Sequence, residues 1–211
     1  MSGTMSFASL ISRRRFLAVT GGAVVALGAG ACTPAPAPRR APDLRFSNRP
    51  PLVFRASRVD VREDYHSPLR APNVEQDMPL PPLRAARQWG FDRLQADGSA
   101  RRTVVLSIRD AAVTEKSLAV RKGVQGAFNT DQAERYDASL DAVVELIDNA
   151  TGVITAQATA RVSRFVTVPE DASVVDRENA WVTLVEGLMA DFDGRMEQAV
   201  RSYMAPYVLL Q

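Results

Sequence analysis

The amino-acid sequence predicts an α+β domain, in which an antiparallel sheet of about four strands is covered on one face by two helices. Three patterns support this prediction. Apolar and polar residues alternate through 133–168, with only a turn sequence between the two halves. Apolar residues recur at three- and four-residue steps from 181 to 203. A shorter helical pattern follows a group of prolines at 79–82. The predicted order is strand, helix, three strands, helix (βαβββα).

The first strand is predicted over Leu52–Val61. Its apolar residues alternate and then shift register by one position: Leu52, Phe54, Ala56, Val59 and Val61. Such a shift moves side chains to the other face of a sheet, so the pattern indicates a bulge or a change of face. A polar loop over 62–78 follows.

The first helix is predicted over Pro82–Ala96, because proline is tolerated in the first helical turn. Its buried stripe has Trp89 beside it and consists of Leu83, Ala86, Gly90 and Leu94. Asp97-Gly98 is expected to end the helix, with Gly98 in the left-handed conformation that helix C-termini favour. A second strand, Thr103–Arg109, comes next.

The clearest pattern is a hairpin over Ala133–Val168. One face of its first strand is apolar, at Tyr136, Ala138, Leu140, Ala142, Val144 and Leu146. The other face carries charged residues, which predicts a sheet with one solvated side. The return strand places small residues on one face, at Ala156, Ala158 and Ala160. A bulky element is therefore expected against those alanines.

The closing helix supplies that bulk. We expect it to begin at a cap formed by Asp171 or Ser173, to run for about 30 residues and to stop at Pro206. Its inward stripe is Trp181, Leu184, Val185, Leu188, Met189, Phe192, Met196, Ala199 and Tyr203.

The N-terminus has the features of an export signal. Residues 1–16 carry no acid and include the three arginines Arg13–Arg15. The apolar stretch that follows, Leu17–Ala31, is too short and glycine-rich for a membrane span, which needs about 20 apolar residues. A helix docked on the domain is the alternative explanation. We expect residues 1–31 to be removed as a signal.

Two short motifs resemble bacterial targeting sequences. Ser12-Arg13-Arg14-Arg15-Phe16-Leu17 resembles the twin-arginine signal, with Arg13, Arg14, Phe16 and Leu17 as the matching residues. Ala29-Gly30-Ala31-Cys32 resembles a lipobox, which implies cleavage between Ala31 and Cys32 and a lipid on Cys32. Thr33 after the cysteine, where retained lipoproteins have Asp, implies sorting to the outer membrane.

The segment after the cysteine has the composition of a tether. Thr33-Pro34-Ala35-Pro36-Ala37-Pro38 lacks core-forming residues and favours extended polyproline geometry. We therefore predict a lipidated tether over 32–51, a single periplasmic domain over 52–205 and a tail over 206–211. A domain of that length can bury a core without disulfides.

Removal of the signal changes the charge balance. Residues 1–31 hold three arginines and no acid, so the 26 basic residues fall to 23 against 24 acidic ones, a net charge of −1. That balance argues against a nucleic-acid partner. Cys32 is the only cysteine, so its lipidation leaves no thiol for a disulfide, a nucleophile or a metal site. We predict no cofactor and no metal.

The single histidine is a weak candidate for a catalytic or metal-binding residue. His66 would have to serve any Ser-His-Asp triad, or join Glu63 and Asp64 in a metal site. Three neighbouring loop residues rarely converge on a metal without further ligands, so we interpret His66 as an exposed loop residue.

Two groups of acids have structural explanations. Asp191-Phe192-Asp193-Gly194 resembles part of a calcium loop but lacks the later ligands, so we place it on the solvent side of the closing helix. Asp137, Asp141 and Glu145 have the spacing of a paired-carboxylate site, but a solvated sheet face explains them as well.

The layout of residues 52–204 resembles small envelope lipoproteins of the lipopolysaccharide-assembly (LptE-like) type. The resemblance rests on the order of the predicted elements and on no diagnostic motif. It implies a lipid-anchored, non-catalytic protein that sits against an outer-membrane partner. Auxiliary lipoproteins of ABC-type lipid transporters have a similar layout.

These features predict a non-catalytic lipoprotein, anchored to the outer membrane and facing the periplasm. It would serve as an accessory subunit in cell-envelope assembly or transport, with an outer-membrane or transporter protein as partner. One alternative is a lipid- or small-ligand-binding lipoprotein of an ABC-type transport system, with a groove between the long helix and the alanine face. A third hypothesis is a hydrolase that uses His66.

Overall fold

The computed structural model describes residues 43–118 and 132–209, and these form an α+β fold with two α-helices. The strands are β1 Leu52–Phe54, β2 Arg58–Glu63, β3 Leu94–Ala96, β4 Arg102–Asp110, β5 Val113–Ser117, β6 Gln132–Asp148 and β7 Ile154–Pro169. The helices are α1 Pro82–Arg93 and α2 Val174–Tyr203, with short 3-10 turns at Glu75–Asp77 and Ala205–Tyr207.

The main sheet has five strands rather than about four, and it is mixed rather than purely antiparallel. Strand β6 lies at its centre, where β4 and β5 pair with successive parts of one edge and β7 pairs along the other. Strand β2 pairs in parallel with β4. The parallel pair arises because α1 lies between β2 and β4 in the chain and returns it to the starting end of the sheet.

The predicted first strand is two strands in two different sheets. The extended strand is interrupted at residues 55–57. Strand β1 pairs in parallel with β3 to form a separate two-stranded sheet. The register shift in the sequence marks the point where the chain passes from one sheet to the other. The change-of-face interpretation is therefore the correct one.

Strand β3 also corrects the predicted helix Pro82–Ala96, which ends at Arg93. Residues 94–96 pair with Leu52–Phe54 instead of forming a last helical turn. Gly98 does adopt a positive φ of 78°. It does so in the turn after β3, where its N–H donates to Ala56 O at 2.8 Å, and so it does not cap the helix.

Strand β5 was not predicted. Only Val113 in this five-residue strand is apolar and buried, so its sequence carries almost no periodicity. The strand is held by backbone pairing with Glu134–Ala138 of β6, which is a tertiary effect that a local pattern does not show.

The core lies between the main sheet and the helices, as the hairpin pattern predicted. All six predicted inward residues of β6 are buried, and Ala158 and Ala160 of β7 are buried with them. Those alanines belong to one apolar cluster with Leu184 and Leu188 of α2, so the helix is the bulky element expected there. Tyr203 is an exception, 72% exposed, because α2 ends at this residue and Met204 takes the buried position.

The start of α2 is fixed by a capping box. Ser173 Oγ accepts a hydrogen bond from Asp176 N at 3.2 Å, and the Asp176 carboxylate accepts one from Ser173 N at 3.3 Å. Of the two predicted caps, Ser173 is the correct one, and the helix runs for 30 residues. None of the helices in 43–118 and 132–209 is both long and apolar enough to cross a bilayer.

Helix α1 approaches the sheet through a glycine. A Cβ atom at Gly90 would lie 2.7 Å from Leu106 Cδ2 and 3.1 Å from Val61 Cγ2, and Leu106 is fully buried. Gly194 in α2 is the opposite case, because a Cβ atom there would meet nothing within 4 Å.

We therefore predict opposite effects for two substitutions of the same kind. Gly90→Ala should lower the free energy of unfolding by about 1–2 kcal/mol, because overpacking outweighs the gain in helix propensity. Gly194→Ala should raise it by about 1 kcal/mol through propensity alone. Equilibrium urea unfolding measures both, and a stabilising Gly90→Ala would contradict the close approach of α1 to β4.

Candidate functional site

The residues of the predicted export and lipidation signals lie outside the described ranges. They are Arg13, Arg14, Phe16, Leu17, Ala31 and Cys32. The structure therefore bears on the domain that these residues would export and anchor.

The residues considered for catalysis do not converge. His66 is exposed in the loop after β2, with its Nδ1 3.1 Å from Asp64 O. Within residues 43–118 and 132–209, no group of three or more His, Cys, Asp or Glu residues is placed to hold a metal ion.

The three acids on the outer face of β6 each face a cation. Asp137 pairs with Lys116 at 2.9 Å and with Arg135 at 2.7 Å. Hydrogen bonds from Arg135 hold the pKa of Asp137 below its ordinary value. Asp141 pairs with Arg161 at 2.5 Å and is almost fully buried, so this face is less solvated than predicted. Glu145 lies 4.0 Å from Arg109 of β4, so each of the three acids has a partner on a neighbouring strand.

Asp193 corrects the placement of Asp191-Phe192-Asp193-Gly194 on the solvent side of the closing helix. Asp191 and Gly194 are exposed, but Phe192 is fully buried and Asp193 is only 3% exposed. Helix α2 packs against both the sheet and α1, and this double contact widens its buried arc to include position 193.

The Asp193 carboxylate accepts hydrogen bonds from three side chains. Trp89 Nε1 and Arg93 Nε each lie 2.8 Å from Oδ1, and Arg49 Nη1 donates to Oδ2. Arg93 is fully buried, and its Nη2 also donates to Glu197 at 2.6 Å. We call these five residues the Asp193 network. It contains two arginines and two acids, so its charges balance within the protein.

The Asp193 network joins three separate parts of the chain. Arg49 belongs to the N-terminal segment 43–50, Trp89 and Arg93 belong to α1, and Asp193 and Glu197 belong to α2. Arg93 Nη1 donates to Pro50 O, and this hydrogen bond fixes the backbone of segment 43–50 as well. The ring of Trp89 meets Phe192 edge to face, at 5.0 Å between centroids.

The chain is therefore packed earlier than residue 52. Phe46 is buried in the core, and its N–H donates to Asp92 Oδ2 at 2.9 Å. Residues 43–51, which the sequence assigned to the tether, lie on the domain. The C-terminal side is held as well, because Leu209 N donates to Val53 O at 2.8 Å and Val208 is buried.

A second buried acid, Glu75, organises the loop between β2 and α1. Its carboxylate accepts from Tyr65 Oη and Ser67 Oγ, both at 2.6 Å, and from Val113 N at 3.1 Å. Asn73 Nδ2 adds contacts of 3.3 Å. Burial acts to raise the pKa of Glu75, but the hydrogen bonds from Ser67 and Tyr65 outweigh it and lower the pKa. Burial and the Glu75 contact raise the pKa of the Tyr65 hydroxyl.

The groove proposed between the long helix and the alanine face is filled by core side chains. A cleft of about 640 Å³ does lie beside it, between β7 and the second half of α2. Its lining is mostly polar: Arg161, Ser163, Asp191, Arg195 and Gln198, with Val162, Ala190 and Gly194. Such a lining suits water or a polar ligand better than an acyl chain.

No protein-family model matches the chain, and no curated protein matches it. Several solved structures match it at low identity. A DUF330-family protein from Xanthomonas campestris is 8% identical, over 75% of this chain and 90% of its own, with a TM-score of 0.34. Rare lipoprotein B from Shewanella oneidensis is 9% identical, over 69% of this chain and 94% of its own, with a TM-score of 0.36. A minor lipoprotein from Acinetobacter baumannii is 14% identical, over 76% and 100%, with a TM-score of 0.28. With TM-scores this low, the matches carry no argument about function.

The Asp193 network predicts a large cost for one conservative substitution. Asp193→Asn should lower the free energy of unfolding by about 3 kcal/mol, because it leaves the buried Arg93 with one acid fewer. The matched control is Asp191→Asn, which removes a half-exposed ion pair with Arg164 and should cost less than about 1 kcal/mol. Guanidinium unfolding at pH 7 measures both, and equal costs would contradict the role assigned to Asp193.

The Glu75 cluster predicts a pH-dependent effect. The folded pKa of Glu75 is lowered, so its contribution to stability is present above the unfolded value and is lost as the pH falls through the folded pKa. Glu75→Gln should cost about 1–3 kcal/mol at pH 7, because its amide N–H would face the surrounding donors.

Unfolding of wild type and Glu75→Gln should therefore be compared between pH 3 and pH 7. The difference should begin to shrink as the pH falls below about 4, where the unfolded glutamate becomes protonated. It should be smallest below the lowered folded pKa, where the glutamate is protonated in both states. Glu170→Gln, at an exposed site, is the control and should show almost no difference. A cost of Glu75→Gln that stays constant with pH would contradict the lowered pKa of Glu75 in the folded protein.

Proposed function

We propose that the chain is a non-catalytic bacterial lipoprotein, anchored through Cys32 and acting as an accessory subunit in envelope assembly or transport. The observation that carries the proposal is the lipobox Ala29-Gly30-Ala31-Cys32, which follows a signal with the paired Arg13 and Arg14. The twin-arginine signal implies export across the inner membrane, and Thr33 after the cysteine favours the outer membrane.

The position of the packed chain relative to Cys32 supports a tether. Asp43, where the described domain begins, follows Cys32 by only eleven positions. From there the chain enters the core at Phe46 and reaches Asp193 through Arg49. A lipid on Cys32 would therefore be joined by a short link to a fixed point of the domain.

The use of the buried charges supports a non-catalytic role. Asp193 and Arg93 join α1 to α2, and Glu75 holds the loop before α1 against β5. Each oxygen of both carboxylates accepts at least one hydrogen bond from the protein itself. The domain would then act through its surface, as a subunit that binds other envelope proteins does.

The second candidate function, ligand binding, rests on the polar cleft between β7 and α2. A ligand there would be polar or charged, since Arg161 and Arg195 line the cleft. The apolar groove that would have suited a lipid tail is occupied by the core.

The anchor is tested by Cys32→Ser in the native host. Wild-type protein should remain with the membrane fraction after salt and carbonate washing, and Cys32→Ser should appear in the soluble fraction. Thr33→Ala is the control and should remain with the membrane. A Cys32→Ser protein that stays membrane-bound after these washes would overturn the lipid anchor.

The accessory role is tested on the same membrane fraction. A mild detergent extract of the tagged protein should contain an envelope protein in stoichiometric amount, identified by mass spectrometry. A monomer that carries a small polar molecule in its place would favour the ligand-binding candidate.

A further inference from the structure

The outward face of α1 combines cations with an exposed aromatic ring. Arg84, Arg87 and Phe91 follow one another at three- and four-residue steps, so they share one side of the helix. All three are exposed, and Phe91 is 61% exposed. The first ten residues of α1, 82–91, contain no acid. An exposed phenylalanine beside arginines on one face is typical of a helix that lies at a membrane interface.

This face lies where the described chain begins. Asp43 and Leu44 line a cleft of about 260 Å³ together with residues of α1 and the segment before it: Leu80, Arg84, Ala85, Arg87 and Gln88. From this cleft the chain follows α1 to Phe46, whose N–H binds Asp92, and on to Arg49 at the Asp193 network. The first described residues of the chain are thus held against α1.

The length of the link limits how far this point can be from the lipid. Eleven residue steps separate Cys32 from Asp43, and a fully extended chain covers at most about 40 Å over that length. A short link keeps the adjoining surface at a high effective concentration near the bilayer. The surface beside Asp43 is the outward face of α1.

Two of the nearby acids, Asp92 and Asp43, are bound to other donors, and a third, Glu63, pairs with Arg87 itself. Asp92 accepts from Gln88 Nε2 at 2.7 Å as well as from Phe46 N, and Asp43 pairs with Arg45 at 3.1 Å. Arg84 donates to Pro79 O, and Arg87 pairs with Glu63 at 3.0 Å, with both partners of that pair partly exposed. Guanidinium groups in such contacts can exchange them for phosphate, which they bind in a bidentate manner.

We propose that the outward face of α1, formed by Arg84, Arg87 and Phe91, rests on the anionic headgroups of the bilayer that holds the Cys32 lipid. The inference depends on the proposed lipid anchor and adds the orientation of the domain. The arginines contact headgroup phosphates, and the Phe91 ring enters the interface between headgroups and acyl chains.

The lipidated full-length protein allows a direct test. The lipid occupies the sulfur of Cys32, so a Phe91→Cys substitution introduces the only free thiol in the protein. An environment-sensitive dye on that thiol should shift to shorter wavelength in vesicles containing phosphatidylglycerol, and nitroxide-labelled lipids should quench it. The same dye introduced through Thr159→Cys, at an exposed position of β7, should remain aqueous.

Charge reversal separates the arginine contacts from the lipid anchor. Each arginine near an anionic surface changes by about fivefold the ratio of molecules whose α1 face contacts the bilayer to molecules whose α1 face does not. Arg84→Glu with Arg87→Glu should therefore abolish the spectral shift while the protein still floats with the vesicles. Arg55→Glu with Arg101→Glu, two exposed arginines elsewhere, makes the same change in net charge and should leave the shift intact. Thermal unfolding confirms that each variant is folded.

The outcomes distinguish the two proposals. A Cys32 that mass spectrometry shows to carry no lipid overturns the proposed function and this inference with it. A lipidated protein that floats with the vesicles but keeps an aqueous probe at position 91 overturns this inference alone. A shift that survives reversal of Arg84 and Arg87, or that is equal in neutral phosphatidylcholine vesicles, also overturns it.

Discussion

The structure depends on one buried carboxylate. A charge with the burial of Asp193 costs several kcal/mol unless its partners are in place. Those partners come from the N-terminal segment 43–50 and from α1, which are far from Asp193 in the chain. The Asp193 carboxylate is fully paired only when all three parts are in place. The network therefore makes the ends of α1 and α2 and the start of the domain one cooperative unit.

This constraint connects the fold to the proposed role. A lipoprotein that acts at a membrane benefits from a defined orientation, and an unstructured joint would lose it. Arg49 and the Pro50 carbonyl fix the N-terminal segment 43–50 to α1 and α2. The Glu75 cluster has a similar effect on the loop before α1, which it ties to β5 through Val113. The buried charged side chains of this domain thus hold its elements in fixed relative positions.

The sequence predicted the parts of the fold in which local pattern and tertiary packing agree. The β6–β7 hairpin and the 30-residue α2 were predicted because their buried residues recur with the right period. Strands β1, β3 and β5 were missed or merged because each has at most five residues and is defined by its pairing partner. The Asp193 network was missed because a buried acid breaks the apolar pattern. Its one sequence signal is an Asp inside the inward stripe of a helix, and its partners Arg49 and Arg93 cannot be assigned from spacing alone.

Coupling of three parts of the chain through Asp193 can be measured by amide hydrogen exchange. Exchange should be followed by mass spectrometry in wild type and Asp193→Asn under native conditions. We expect peptides from 43–50, from α1 and from the second half of α2 to lose protection together in Asp193→Asn, while the β6–β7 hairpin keeps its protection. Loss of protection confined to the α2 peptide around residue 193, with 43–50 and α1 unchanged, would contradict this coupling.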